Sequence, residues 1–381
     1  MRGEREMLLE DLVEVLRSGD GNGNGMIVRF RLPSGREILG MPTENFYGGE
    51  WDLGPTWNYL VDSGERFLLD TGRWGQGGKL LESMKWCGFT GAELDFVLLS
   101  HGHEDHDGGL YEIVRATGVT VRAHPLYPLL MQYHKEEAPP EARAEFPASC
   151  WHCLMPASFT EVQCVRYHQE RCGLEVRPIL EMDTPSEGGV SFLNVPGHCP
   201  DSLAVILGDE AIMVGDSVLP DITPHPTRED FFGLVRRILP PHYSEADQLY
   251  GLRAYLRSVK KLGEIGRAYP EILVLPAHRL FYGGRWNGIV LEDRVRELVQ
   301  HHIERCSDIL GILKSGPKTA LEIAKEHFEP RFLKGPGIRM AENEVLAHCE
   351  LLMISGDIVA AGDGRMTATG STAFEGLILA L

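Results

Sequence analysis

No stretch of the chain approaches the roughly 18 uninterrupted apolar residues of a membrane-spanning helix, which argues against a helical membrane protein. The segment from Met1 to Leu16 is charged and amphipathic. It lacks the apolar centre and small-residue cleavage site of a signal peptide. A cytoplasmic protein is expected, with its eight cysteines mostly reduced. Positive charge is also scarce: the net charge of −18 argues against a wide grip on nucleic-acid backbone, though it leaves a local basic groove open. A repeated CxxC is missing. Cys150-Trp151-His152-Cys153 offers a zinc-like pair, but Cys164 and Cys172 downstream do not repeat its spacing, so free thiols are the favoured reading. What remains is ordinary for a soluble protein: 381 residues, 43% hydrophobic and 24% charged, enough for one large domain or two with a sizeable core.

Against that background one stretch stands out. Ser100-His101-Gly102-His103-Glu104-Asp105-His106-Asp107-Gly108-Gly109 carries three imidazoles and three carboxylates within seven residues. It follows Phe96-Val97-Leu98-Leu99, a short apolar run that reads as a buried strand. Imidazole and carboxylate together suit zinc and related divalent ions.

Elsewhere the pattern is layered α/β. Residues 7–17 have helical spacing, and Gly21-Asn22-Gly23-Asn24-Gly25 ends that element. Strands are expected over 26–32, 37–39, 57–61 and 66–70, the last delivering Asp70-Thr71-Gly72 into a loop. A helix over 76–88 precedes the histidine-rich strand; a helix over 110–117 and a strand over 119–123 follow it. Residues 124–176, rich in Pro, Tyr, His and Cys, read as a helical or irregular insertion, and its Tyr127, Tyr133, His134, Trp151, His152 and Tyr167 are a plausible wall over a site. Strands return at 190–195, leading into Pro196-Gly197-His198, then at 203–207, 211–214 and 272–275. The third of these runs into Gly215-Asp216, the fourth into Pro276-Ala277-His278-Arg279. A long helix is expected over 244–267. After it, helices over 289–314, through His327, and over 342–353 precede a hairpin about Gly362-Asp363-Gly364. Three helices and a hairpin read as a winged helix.

Four strands thus end in metal-capable side chains beside Gly or Pro, where open α/β sheets place their ligands. Together these motifs resemble the metallo-β-lactamase-fold metal-dependent hydrolase superfamily, in the branch with a C-terminal winged-helix domain. The matching pieces are Asp70-Thr71-Gly72, His101-x-His103-x-Asp105-His106, Pro196-Gly197-His198, Gly215-Asp216 and Pro276-Ala277-His278, in family order over residues 50 to 285. The resemblance implies an αββα sandwich followed by a small winged-helix domain. The expected division is an N-terminal helix and linker over 1–25, a hydrolase domain over 26–298 with its insertion at about 124–176, and a winged-helix-like domain over 299–381. It also implies two divalent metal ions, zinc before iron or manganese. His101, His103 and His198 would hold one; Asp105, His106 and His278 the other. Asp216 would bridge them, and a metal-bound hydroxide would be the nucleophile, oriented by Asp105. Asp70 would accept a hydrogen bond from a ligand histidine.

Two departures bear on substrate. Arg279 follows the last histidine where many relatives have Gly, which offers a guanidinium for a carboxylate or phosphate. Cys199-Pro200-Asp201-Ser202 replaces a small turn after His198. His225, in the proline-rich loop after Asp216, is a further substrate-binding candidate. From residue 299 on, eight Lys and Arg face eleven Asp and Glu, so the winged helix is expected to pack, dimerise or cover substrate rather than bind nucleic acid. The expected activity is hydrolysis of a small-molecule ester or thioester, an acyl-CoA-like conjugate included, with a small-molecule substrate as partner and a homodimer as an open option. The alternatives are a metal-dependent endoribonuclease or phosphodiesterase, and a mononuclear iron dioxygenase of the persulfide-oxidising type.

Overall fold

Strands Glu37–Thr43 and Thr56–Asp62 are buried along nearly their whole length, as strands covered on both faces must be. They lie in the first of the two larger sheets. The computed structural model describes residues 9, 12–45, 51–131, 161–180, 182–183 and 189–381. In that sheet eight strands follow chain order: Val13–Arg17 (β1), Ile27–Arg31 (β2), Glu37–Thr43 (β3), Thr56–Asp62 (β4), Arg66–Leu69 (β5), Phe96–Leu98 (β6), Thr120–Ala123 (β7) and Val176–Pro178 (β8). Pairing is antiparallel from β1 to β5 and parallel from β5 to β8. The second sheet holds Val190–Asn194 (β9), Leu203–Leu207 (β10), Ala211–Gly215 (β11) and Leu273–Pro276 (β12), in the order β12-β11-β10-β9.

Both sheets bury a face in one interior. Phe30, Trp57, Phe67 and Phe96 from the first meet Val205, Met213 and Leu275 from the second. The helices that follow or interrupt the first sheet are Gly77–Trp86 (α1), Glu104–Asp107 (α2), Leu110–Thr117 (α3), Leu126–Met131 (α4), Glu161–Cys172 (α5) and Phe232–Val235 (α6), of which α1, α3, α4 and α6 cover its outer face with buried residues. The outer face of the second is covered by Gly251–Ala268 (α7) and Leu291–Leu313 (α8). The result is a helix–sheet–sheet–helix sandwich, the α/β class expected.

Beyond α8 come Ala320–His327 (α9), Gly337–Ile354 (α10), the hairpin Ile358–Ala360 (β13) and Met366–Ala368 (β14), and Phe374–Ala380 (α11). Thr319 caps α9 with the capping box its Thr-x-x-Glu pattern announces. These elements share a core with the sandwich: Ile323, Val345, Leu352 and Phe374 join Val214, Leu256 and Leu298 in one apolar cluster. Helix α8 runs unbroken through residue 298.

Two expectations need correction. The second half of the helix expected over 7–17 is strand β1. Val13 and Val15 are β-branched, and pairing with β2 supplies the ladder that a short edge segment needs. The helix expected from 244 begins at Gly251, which sits at φ 85° behind a 3₁₀ turn over Ala246–Gln248. Within the insertion, α4 and α5 are the described helices. Tyr133, His134, Cys150, Trp151, His152 and Cys153 lie outside the described residues, as do residues 1–8.

Candidate metal centre

Five chain segments leave their strands at the same edge of the sandwich. Strand β5 leads to Asp70, β6 to His101, β9 to His198, β11 to Asp216 and β12 to His278. Two glycines let the segments meet. A Cβ on Gly197, which has φ 122°, would fall 2.2 Å from the Tyr255 backbone nitrogen. A Cβ on Gly108 would fall 2.1 Å from the Trp74 nitrogen. Neither position tolerates a side chain.

The donor atoms gather into three overlapping groups: His101, His103 and His198; His101, His106 and Asp216; Asp105, His106 and His278. Within each, the ligating atoms lie within 4.8 Å of one another. Asp216 touches both halves, with Oδ2 3.4 Å from His198 Nε2 and 3.5 Å from His106 Nε2, and Oδ1 3.4 Å from His278 Nε2. Asp105 Oδ2 lies 3.2 Å from His278 Nε2 and 3.7 Å from His106 Nε2.

Four of the imidazoles are held from behind. Nδ1 of His101 meets Ser100 Oγ at 3.0 Å, that of His106 meets Asp70 Oδ2 at 2.9 Å, that of His198 meets the His225 carbonyl at 2.9 Å, and that of His278 meets the Pro55 carbonyl at 3.2 Å. Ser100 Oγ donates its own proton to Asp70 at 2.7 Å, which leaves it to accept from His101. Each ring is thereby oriented with Nε2 inward, the arrangement that metal-binding histidines need. Nε2 of His106, His198 and His278, and Oδ1 of Asp216, are buried and make no hydrogen bond among the described residues. Buried polar atoms without partners are costly, and here they converge on common points. The donor set therefore fits divalent metal ions, two imidazole-rich sites joined by one carboxylate.

Electrostatics agree. Burial, then the neighbouring imidazoles, push His103 down to about 3 and His101 well below its ordinary value, so these rings are neutral ligands. Burial opposes charge on His106 and His278 too. There the carboxylates win: Asp105, Asp216 and Asp70 raise His106 well above its usual range, and Asp216 and Asp105 lift His278 to about 9. The anionic half of the cluster calls for cations.

Asn45 escaped the sequence reading. Its Nδ2 donates to Asp105 Oδ2 at 2.8 Å, and an asparagine in a loop carries no motif that would reveal this. Arg279 and His225, the two expected substrate residues, are both engaged within the chain. The Arg279 guanidinium is held by the protein itself: Nη1 meets Asp221 Oδ2 at 3.1 Å, Nη2 donates to the Asp52 carbonyl, and the group stacks 3.8 Å over the Tyr282 ring. Arg279 also sits in left-handed backbone, φ 62°. The His225 ring is turned to α10, with Nε2 3.1 Å from the Met340 carbonyl and 3.6 Å from Glu344 Oε2. It is the carbonyl of His225 that reaches the cluster. Asp201 is buried, accepts from Cys199 Sγ at 2.8 Å, and lies outside the donor groups.

Residues 51–278 match the family model of the metallo-beta-lactamase superfamily. Among solved structures, a metallo-beta-lactamase family protein from Thermus thermophilus superposes with a TM-score of 0.61 at 22% identity, over 87% of this chain and 98% of that one. A beta-lactamase domain protein from Burkholderia ambifaria gives 0.62 at 18% identity, over 95% and 98%. With its sandwich, its strand-end donors and a family match across most of the sandwich, the chain belongs to the metallo-beta-lactamase superfamily, whose members are generally metal-dependent hydrolases.

Proposed function

We propose that the protein is a binuclear metal-dependent hydrolase of a small-molecule ester or thioester, acyl-CoA-like conjugates included. One observation carries this reading: two donor sets meet about Asp216, and Nε2 of His106, His198 and His278 make no hydrogen bond among the described residues. His101, His103 and His198 would hold one metal, and Asp105, His106 and His278 the other. Zinc suits this mixture of imidazole and carboxylate. When bound, the pair would lower the pKa of a shared water toward about 7 and polarise the scissile carbonyl.

The chain's own residues do the rest. Asp216 would offset the repulsion between two dications. Asp105, which accepts from Asn45, would also orient the attacking water. The near-complete burial of His101, His106 and His278 keeps bulk water off the ligand bonds. Asp70 and Ser100 hold the rings of His106 and His101 by their Nδ1 atoms.

The mononuclear dioxygenase reading leaves the second set, Asp105, His106 and His278, without a purpose. The ribonuclease reading meets a C-terminal region with more acids than bases. In element order α8, α9, α10 and the β13–β14 hairpin follow a winged helix, and we assign the region over 299–381 to packing and substrate covering in that form. A panel of thioesters, lactones, phosphodiesters and RNA, assayed in parallel with the zinc-loaded protein, tests the substrate class. Thioester or ester turnover is expected; RNA cleavage as the main activity would overturn it.

A further inference from the structure

His302, Glu344 and His348 form another buried cluster of metal-capable groups. The facing nitrogens of its imidazoles are already engaged: His302 Nδ1 and His348 Nε2 are 2.9 Å apart, and His348 Nδ1 donates to the Glu344 carbonyl at 2.7 Å. That last bond puts the His348 proton on Nδ1, so His302 Nδ1 donates to its neighbour. Arg305 Nη1 lies 2.9 Å from Glu344 Oε1. A cation placed here would face the guanidinium at close range, so these residues do not build a third metal site.

Glu344 is held twice here, by Arg305 at its carboxylate and by His348 at its main-chain carbonyl. Its Oε2 lies 3.6 Å from His225 Nε2. The same ring nitrogen lies 3.1 Å from the Met340 carbonyl, one turn before Glu344 on α10, and Nδ1 lies 2.8 Å from the Pro226 carbonyl. The His225 carbonyl in turn accepts from His198 Nδ1. A continuous path of contacts thus runs from Arg305 on α8 through Glu344 and His225 to the imidazole of His198. Helix α10 grips the same loop a second time, where Glu350 accepts from the Glu229 nitrogen at 2.7 Å. Thr227 also ties this loop to the strand end, through its nitrogen and hydroxyl to the Gly197 carbonyl. That contact fixes the main chain before His198 and leaves the imidazole's direction to the His225 carbonyl.

We propose that Glu344 is a positioning residue for the metal centre: through His225 it holds the carbonyl that orients His198, which makes α10 a working part of the first metal site. This rests on the reading of His198 as a ligand. Losing an outer partner of a metal-binding histidine costs roughly 10- to 100-fold in affinity. Glu344 acts one link further out, so the lower end is expected.

The test is a zinc titration of metal-free full-length protein against a chromophoric chelator, for wild type, Glu344→Gln and His225→Gln, with thermal unfolding of each metal-free form. Wild type should take up two zinc ions. Both variants should bind one of the two about tenfold more weakly, with the other unchanged and metal-free unfolding close to wild type. A merely structural role would lower unfolding temperature and weaken both ions together. If Glu344→Gln folds poorly, His225→Gln decides. Variants that bind both ions as wild type does, or weaken both equally, overturn the proposal. Wild type binding fewer than two zinc ions would instead tell against the binuclear reading, whatever the variants do.

Discussion

His106 Nδ1 lies 2.9 Å from Asp70 Oδ2, and Asp70 holds that position from left-handed backbone at φ 63°. The same carboxylate accepts from the Ser100 nitrogen and hydroxyl, each at 2.7 Å. One strained residue therefore aligns the loop that carries His101 and the ring of His106. Asp70→Asn cannot accept all three bonds, and zinc affinity should fall about 10- to 100-fold in a competition titration. Asp70→Gly relieves the backbone but supplies no acceptor, so it should lose affinity as well. Recovery of wild-type affinity by the glycine variant would show that conformation, not the acceptor, matters.

Asp201 should make the metal-free protein less stable as pH rises. It is buried, and its Oδ2 has no hydrogen-bond partner among the described residues. Burial pushes its carboxyl up to about 6. The fold thus favours the protonated form. That contribution is complete below the ordinary carboxyl range near pH 4 and is lost as pH rises through about 6. Asp201→Asn should remove this slope and gain, at most, about 2–3 kcal/mol above it. Urea unfolding at a series of pH values measures both. Parallel pH profiles for the two proteins would refute the assignment.

Leu352 is fully buried in the cluster that joins the second sheet, α7, α8 and the C-terminal elements. Because that core is shared, Leu352→Ala should cost about 2–5 kcal/mol and shift one transition for the whole chain. Coincident circular dichroism and tryptophan fluorescence curves are expected. An early transition confined to one probe would mean that the C-terminal elements unfold on their own.

Much of the site was legible because its donors sit at strand ends, each announced by an apolar run and a Gly or Pro. His101, His103, Asp105, His106, His198, Asp216 and His278 meet at one edge of the sandwich, where their strand-end places and the family resemblance put them; the alternation of strands and helices announced only a layered α/β class, and the resemblance supplied the sandwich. Contacts that depend on distant partners were not legible. Arg279 pairs with Asp221, 58 residues earlier, and the carbonyl of His225 carries no sequence signal at all. Strand β1 was hidden for a different reason. Val13-Glu14-Val15-Leu16-Arg17 fits both periods over so short a span, and only its pairing with β2 decides.

The binuclear claim is tested most directly by counting metal in the purified, zinc-loaded protein, beside His106→Ala. Wild type should hold close to two equivalents per chain. His106→Ala should lose metal and hydrolytic activity together. A single tightly held iron in wild type, or full activity in His106→Ala, would contradict the account.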